Sequence, residues 1–303
     1  MNKQTTIKFD SSSQKYICSI EGNTFKTARS THVEYMYKKI TGKKATIDQL
    51  MGAKVESKSD KYSINKRFEF VESLVKMVAS GVQPSAIITG QGGLGKTYTV
   101  TKTLEANGYQ DISKFGEFEE GTRVFRSKAF AMVKGYSTPK GLYRTLFENN
   151  GSVVIFDDCD SVLKDPIALN LLKGALDSYG KRIISWNADM RDEDLPRSFE
   201  FTGKVIFISN YTQDKIDQAI RSRSMMIDLT MTDTQKIDRM EFIAQSDEFM
   251  PEYDKEAKQD AINFIRKIKD EAKELSLRTL ISVTKTRSSN ENWEELAEYV
   301  LCN

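Results

Sequence analysis

The order of apolar and polar positions divides the chain into three parts. Between residues 61 and 231, short apolar runs alternate with segments of helical period, the pattern of a parallel sheet covered on both faces. The apolar runs predict buried strands at 86–89, 130–133, 152–156, 204–209 and 225–227. The segments between them predict helices at 66–80, 98–104 and 139–147. From residue 232 onward only helices are predicted, at 234–245, 254–275, 278–284 and 292–301.

Residues 1–60 differ from the rest and predict a small accessory module. Two alternating segments predict short strands at 6–9 and 15–20, separated by serines. A helix is predicted at 31–40, ending at Thr41 and Gly42. A polar segment at 57–60 then leads into the main domain.

Composition excludes several classes of protein. With 39% apolar and 29% charged residues among 303, the chain is typical of a soluble globular protein. No stretch approaches ~18 uninterrupted apolar residues, and the first residues lack a signal peptide's apolar segment, so we expect a cytoplasmic protein without a membrane partner. Cys18, Cys159 and Cys302 lie far apart, which suits a reducing cytosol, and a single histidine, His32, excludes a histidine-based triad or zinc cluster.

Charge is distributed unevenly along the chain. Residues 1–61 contain twelve Lys or Arg and six Asp or Glu, although the whole chain carries a formal charge of only +2. A basic N-terminal region is compatible with nucleic-acid binding, and equally with a solvated lysine-rich surface. Salt-sensitive DNA binding through Lys38, Lys39, Lys43 and Lys44 would distinguish the two.

The segment 90–97 fits the phosphate-loop pattern G-x-x-x-x-G-K-[ST] and lies between a predicted strand and a predicted helix. Glycines allow close approach to phosphates, the helix N-terminus adds positive potential, Lys96 reaches the β- and γ-phosphates and Thr97 ligates Mg²⁺. The segment therefore predicts binding of a nucleoside triphosphate. The predicted binding residues are Gly90, Gln91, Gly92, Gly93, Leu94, Gly95, Lys96, Thr97 and Tyr98.

Acidic and amide residues follow two other predicted strands. Asp157 and Asp158 end the run 152–156, where Asp157 is predicted to hold Mg²⁺ and Asp158 to orient or deprotonate the attacking water. Asp160 is predicted to be a local cap. Asn210 ends the run 204–209 and is predicted to contact the γ-phosphate and the water.

Three arginines complete the candidate site. Arg221 and Arg223 precede the last predicted strand, where an arginine can reach a neighbouring subunit's γ-phosphate or form an intramolecular salt bridge. Arg278 begins a helix of the C-terminal region and is another candidate phosphate ligand.

These motifs, in this order and spacing, resemble the AAA+ ATPases over roughly residues 62–290. The resemblance aligns 90–97 with Walker A, 152–158 with Walker B, Asn210 with sensor 1 and Arg278 with sensor 2. Ser222-Arg223-Ser224 resembles the Ser-Arg-Cys element of clamp loaders and favours Arg223 over Arg221 as arginine finger. The chain also resembles ATPases encoded by tailed bacteriophages.

The resemblance implies an α/β fold: a parallel-sheet P-loop AAA+ core at 61–231, a helical lid at 232–303 and an N-terminal module at 1–60. It also implies ATP and Mg²⁺ as cofactors and a homo-oligomer, most readily a ring of about six, in which Arg223 completes the neighbour's site. A phage-encoded protein of this kind would act in the host cytoplasm.

One residue departs from the AAA+ pattern. Most members carry Asp-Glu at Walker B, whereas this chain has Asp157-Asp158, a pair that also occurs in superfamily-3 helicases of viruses. The shorter Asp158 predicts slow turnover. Segments 181–186 and 199–201 are interpreted either as an inserted hairpin projecting into a central channel or as an ordinary connection. Tyr136 is likewise either a pore-loop residue or part of the helix start at Pro139.

Three functions agree with these motifs. The first is a nucleic-acid motor or loader in phage-type DNA replication, favoured by the basic N-terminus and Ser222-Arg223. The second is a protein remodeller that threads polypeptide past Tyr136. The third is a slow ATP-dependent assembly switch, which Asp158 would permit. Fold alone does not decide among them.

Overall fold

The computed structural model describes residues 6–10, 15–20, 22–42, 61–114, 128–187 and 195–302. The chain divides into two compact units, Met1–Lys61 and Tyr62–Asn303. The candidate residues Lys43 and Lys44 lie outside the described residues.

The first unit is a three-stranded antiparallel sheet followed by one helix. Its elements are β1 (Thr6–Asp10), β2 (Lys15–Ile20), β3 (Asn23–Thr27) and α1 (Ser30–Thr41), with β2 in the centre. Ile7, Cys18 and Val33 are buried between sheet and helix, and α1 ends at left-handed Gly42 as predicted. The sequence pattern missed β3, although the alternation after Gly22, whose φ is 90°, is a hairpin signal.

The second unit contains the predicted parallel sheet. Its strands are β4 (Ser85–Thr89), β5 (Gln110–Asp111), β6 (Ala129–Lys134), β7 (Val153–Asp157), β8 (Ile183–Ser185), β9 (Ser198–Glu200), β10 (Lys204–Ser209) and β11 (Met225–Asp228). Six of them form one parallel sheet in the order β11-β4-β10-β7-β6-β5. The other two, β8 and β9, form a separate antiparallel ribbon.

Helices cover both faces of this sheet, which makes the unit a mixed α/β fold. The helices are α2 (Ile64–Ala79), α3 (Lys96–Ala106), α4 (Pro139–Glu148), α5 (Pro166–Ala175) and the short α6 (Gln218–Arg221). Residues of α2 and α3 pack with one set of strand side chains and those of α4, α5 and α6 with the other, because alternate residues of a strand face opposite sides. Ser63, Thr138 and Asp165 cap their helices through side-chain oxygens.

The C-terminal part is helical, as predicted, and has its own apolar core. Its helices are α7 (Asp233–Ala244), α8 (Lys255–Ile268), α9 (Leu277–Ser289) and α10 (Trp293–Cys302). The prediction of one helix over 254–275 was wrong, because α8 ends at Ile268. The chain turns there and brings Ser276, the cap of α9, to the glycine-rich loop of the sheet core. None of the helices in the described ranges has the length and apolar character needed to cross a bilayer.

The ribbon β8–β9 bears on the alternatives for residues 181–201. Its strands pair antiparallel, with Ile184 opposite Phe199, so the segment forms a hairpin. The ribbon packs on α4, because Tyr143 contacts both Trp186 and Phe199 and donates a hydrogen bond to the carbonyl of Pro196. Residues 188–194, between the strands, lie outside the described residues. A role in a central channel stays a prediction.

Candidate functional site

Three neighbouring strands bring the candidate residues to one edge of the sheet. The glycine-rich loop, residues 90–97, follows β4, while Asp157 ends β7 and Asn210 follows β10. In register, Ser209 lies beside Thr89, and Ile208 beside Asp157. The first strand of the core thus lies between the last two, β10 and β11. In open α/β sheets, ligands bind at the carboxyl edge at such a switch in strand order.

The glycine-rich loop requires glycine at specific positions. Gly90, Gly93 and Gly95 have φ values of 140°, 73° and 92°, which L side chains rarely adopt. A Cβ on Gly90 would lie 2.9 Å from the carbonyl carbon of Leu229, and one on Gly93 would lie 2.9 Å from the Cβ of Ser276. The loop therefore needs both the backbone freedom and the small volume of glycine before α3 begins at Lys96.

Lys96 is a buried cation whose hydrogen-bond partners are all neutral. Its side chain is 6% exposed, and Nζ donates to the carbonyls of Gly90 (2.6 Å) and Gln91 (2.7 Å) and to Oδ1 of Asn210 (3.0 Å). In the described part of the chain no carboxylate oxygen lies within 4.0 Å of it. Burial lowers the pKa of Lys96, although the nearby aspartates oppose this. A bound anion would supply the missing counter-charge.

Thr97 and Asp157 form a small oxygen-ligand pair beside Lys96. Thr97 Oγ1 donates to Asp157 Oδ1 over 3.0 Å, and Lys134 Nζ lies 3.8 Å from Asp157 Oδ2. Asp157 is 7% exposed, and burial raises its pKa. The neighbouring Asp158 adds to this, while the Thr97 hydrogen bond and Lys134 oppose it.

The pair fits a magnesium ion that also binds phosphate. Mg²⁺ is usually held through one or two protein oxygens together with substrate phosphates, and rarely by an all-protein cage. Among the residues the structure describes, no cluster of three or more His, Cys, Asp or Glu side chains could hold a metal. Thr97 and Asp157 would therefore share the ion with a bound nucleotide.

Asp158 and Asn210 are connected to Lys96 by hydrogen bonds. Asn210 Nδ2 donates to Asp158 Oδ1 over 2.7 Å, while its Oδ1 accepts from Lys96. Both side chains are exposed, so they can meet a ligand and water. Asp158 has φ 54°, in the left-handed region where Asp and Asn are the favoured non-glycine residues. Asp160 is not a local cap: its Oδ1 accepts from the hydroxyl of Ser209 at 2.6 Å and links β10 to the β7 loop.

Arg223 lies at the opposite edge of the sheet. It precedes β11, and its carbonyl accepts from the hydroxyl of Ser85, the first residue of β4. One guanidinium nitrogen donates to the carbonyl of Ala219 over 3.0 Å. The buried Nε has no hydrogen-bond partner among the described residues. The structure therefore does not bring Arg223 to the glycine-rich loop of its own chain.

The C-terminal helices contact the loop directly. The amide of Leu277 donates to the carbonyl of Gly93 over 2.7 Å, so α9 begins on the loop. Arg278 follows Leu277 in this first turn and is exposed. The sequence pattern identified Arg278 but missed this backbone contact. Ser276 and Thr279 form a capping box that starts α9 beside the loop. The Ser-x-x-Thr pattern at 276–279 was the signal for this helix start in the sequence.

Tyr98 connects α3 to the segment after α7. Its hydroxyl donates to Glu248 Oε2 over 2.8 Å, and Lys102 Nζ lies 3.2 Å from the same oxygen. Next to these groups is a cavity of about 740 Å³, lined on one side by Gly95 and Tyr98 and on the other by Ile243 and Leu277. The cavity thus opens between α3 and the C-terminal helices, beside the glycine-rich loop.

This fold and site define a mixed α/β protein whose six-stranded parallel sheet is consistent with a Rossmann-like or P-loop core. No family model matches the chain. The chain is 30% identical over 270 residues to the "Uncharacterized 36.7 kDa protein in nrdC-mobD intergenic region" of Enterobacteria phage T4. The match covers 81% of this chain and 78% of the phage protein. The chain belongs to the family of this phage T4 protein.

Proposed function

We propose that this protein is an Mg²⁺-dependent ATP hydrolase of the AAA+ class. The observation that carries the proposal is the buried ammonium of Lys96, surrounded by neutral oxygens within a glycine loop. Phosphate oxygens would replace the backbone carbonyls as its partners and neutralise a charge that is costly to bury alone.

Each residue of the site then has a distinct role. The loop 90–97 binds the phosphates, Thr97 and Asp157 hold Mg²⁺, and the base and ribose occupy the cavity beside Tyr98. The ion neutralises developing charge on the phosphates when it is bound. Asn210 contacts the γ-phosphate and orients Asp158, which accepts the proton of the attacking water. Arg278 contacts the nucleotide from the first turn of α9.

Assembly supplies the remaining catalytic residue. The position of Arg223 at the far edge of the sheet favours action on another subunit's γ-phosphate, because its own loop follows the other end of β4. The arginine-finger role and a ring of about six subunits both come from the resemblance to AAA+ ATPases.

We propose that the protein acts on nucleic acid, as a motor or loader in phage-type DNA replication in the host cytoplasm. The phage T4 relative supports the phage setting, and the basic N-terminal region supports nucleic acid as the partner. Tyr136, 79% exposed after Gly135, favours a protein remodeller as second candidate. The helix α4 is capped by the side chain of Thr138, which accepts from the amide of Gly141. The exposed ring of Tyr136 is therefore not needed to start that helix. The short Asp158 supports a slow assembly switch as third candidate.

Nucleotide binding by Lys96 variants is the primary test. We expect calorimetric titration to show Mg²⁺-ATP binding by the native chain, and Lys96→Ala to weaken it and reduce turnover by ~10²–10³, the usual effect of removing one charge-stabilising donor. Lys215→Ala is the matched control, since Lys215 is an exposed lysine in the segment after β10. Equal binding by the Lys96 variant and the native chain would refute the phosphate role.

Turnover then distinguishes the three candidate functions. It is measured against protein concentration, with and without single- and double-stranded DNA. A cooperative rise with concentration and stimulation by DNA support the motor. Turnover that ignores DNA favours the remodeller, and tight binding without turnover favours the switch.

A further inference from the structure

The exposed side of α1 in the first unit combines aromatic and basic side chains. His32, Tyr35, Lys38 and Lys39 are exposed and spaced three to four residues apart, so they lie along one side of the helix. Val33 is buried on the other side against the sheet. Together with Arg29, which is exposed just before α1, these four residues form what we call the basic-aromatic face.

The aromatic rings of this face are supported from behind. Tyr35 is 60% exposed, and its ring stacks on that of His32 with a centroid distance of 6.4 Å and an interplanar angle of 28°. The rings of Phe25 and His32 pack edge to face, with a centroid distance of 5.9 Å. A shallow cleft of about 460 Å³ runs along Arg29, His32 and Tyr35. Tyr35 therefore presents a ring face that a planar ligand can reach.

The charge around the cleft is positive. The cations of the face are Arg29, Lys38 and Lys39, and Glu34 is the single acid among residues 22–42. Lys38 and Lys39 follow Tyr35 by one helical turn, within reach of a phosphate next to a base stacked on the ring. A basic surface with an exposed aromatic ring is the combination that binds single strands without sequence preference. A duplex keeps its base faces inside the stack, so it cannot use Tyr35 in this way.

We propose that the basic-aromatic face binds single-stranded nucleic acid, with a base stacked on Tyr35 and phosphates bound by Arg29, Lys38 and Lys39. The face belongs to the first unit and the nucleotide site to the second. The inference rests on the proposed function for its biological role, but binding without nucleotide tests it independently.

The experiment uses fluorescence anisotropy of the full chain with labelled oligothymidine, oligouridine and a duplex of equal length, over a range of NaCl concentrations. We expect tighter binding of single strands than of duplex, and the two oligonucleotides identify DNA or RNA as the ligand. Tyr35→Ala should weaken binding about ten- to hundredfold without changing the salt slope, and Tyr35→Phe should retain it. The double variant Lys38→Ala, Lys39→Ala should reduce the slope of log K against log [NaCl] by about 1.4.

Lys26→Ala is the matched control for charge. Lys26 is exposed on β3, where it pairs with Ile17. Its neighbour Phe25 packs against the core that contains Val33 of α1. Because successive residues of a strand face opposite sides, Lys26 lies on the sheet face away from α1. Binding by Tyr35→Ala within about twofold of the native chain, or duplex binding as tight as single-strand binding, overturns the proposal. Circular dichroism confirms folding of each variant. A native chain that binds ATP but no oligonucleotide refutes only this inference, and one that binds oligonucleotide but no ATP refutes only the ATP site.

Discussion

The two edges of the parallel sheet use polar residues in opposite ways. At the carboxyl edge, Lys96, Asn210 and Asp158 are linked to one another by side-chain hydrogen bonds around an open glycine loop. At the amino edge, the hydroxyl of Ser85 donates to the carbonyl of Arg223, and the Arg223 guanidinium donates to the carbonyl of Ala219 in α6, the helix just before it.

This difference separates groups that one chain brings together from an arginine that the same chain leaves apart from them. Side chains at the carboxyl edge share a space that a ligand can enter. Arg223 is separated from that space by the length of β4, and its guanidinium donates one hydrogen bond, over 3.0 Å, to a carbonyl. Among the described residues its buried Nε has no hydrogen-bond partner and its guanidinium forms no ion pair, so it can change partners without breaking one.

The largest effect is expected for Arg223→Ala. We expect turnover to fall by ~10³–10⁵, because an arginine finger acts on transition-state charge, while ATP binding stays largely intact. Arg221→Ala, an exposed neighbour at the end of α6, is the control and should keep near-native turnover. Steady-state hydrolysis and calorimetric binding measure the two quantities. Equal loss of binding and turnover would rule out the finger.

Mixing two inactive variants sharpens the same prediction. Lys96→Ala chains retain Arg223, and Arg223→Ala chains retain the glycine loop. Hydrolysis should reappear on mixing if the two edges meet between subunits. If the mixture is as inactive as each variant alone, Arg223 does not complete the site around Lys96 of a neighbouring subunit.

A smaller effect is expected for Asp158→Asn. The substitution keeps an oxygen for Asn210 Nδ2 and suits the left-handed backbone, but removes the proton acceptor. We expect turnover to fall by ~10²–10⁴, the range of general-base contributions, with unchanged melting temperature. Burst and steady-state rates both need measurement. Native turnover in this variant would show that Asp158 is not the proton acceptor.

The smallest effect is expected for Gly93→Ala, which tests the contact between loop and α9. The left-handed backbone costs a non-glycine residue about 1–2 kcal/mol, and the new Cβ would lie 2.9 Å from that of Ser276. The Leu277 amide should therefore exchange its hydrogen roughly tenfold faster. Gly92→Ala is the control, because a Cβ there would meet only the Asn210 amide group, at ordinary van der Waals distances of 3.6 Å and 4.0 Å. Equal exchange in both variants would show that the contact does not hold α9 on the loop.

Local patterns predicted much of the fold. The continuous apolar runs became β4, β7 and β10, since a strand buried on both faces needs no polar alternation. The strand β5 was missed because two residues contain too little pattern to recognise alone, whereas β3 was missed although the hairpin signal at Gly22 precedes it. The helix predicted over 254–275 failed for another reason: docking of Ser276 on Gly93 is a contact between distant segments, which helical period cannot report.

Residue 158 illustrates the same limit within the site. From sequence, Asp158 was only a shortened version of the usual glutamate. The structure gives its backbone a φ of 54°, a conformation that Asp adopts more readily than Glu. Its carboxylate accepts a hydrogen bond from Asn210. Aspartate at this position therefore suits the backbone conformation, and its shorter side chain is only part of the difference from glutamate.

The sequence by itself determined the glycine-rich loop, the acidic strand end, the amide that follows β10 and the alternation of strands and helices, because each depends on residues close together in the chain. Tertiary structure alone decided which of these groups meet. Strand order placed Asn210 and Asp157 beside the loop and Arg223 at the far edge. The physical reason is that strand neighbours are chosen by packing and hydrogen bonding across the sheet, between residues that lie 60 to 138 positions apart in the chain.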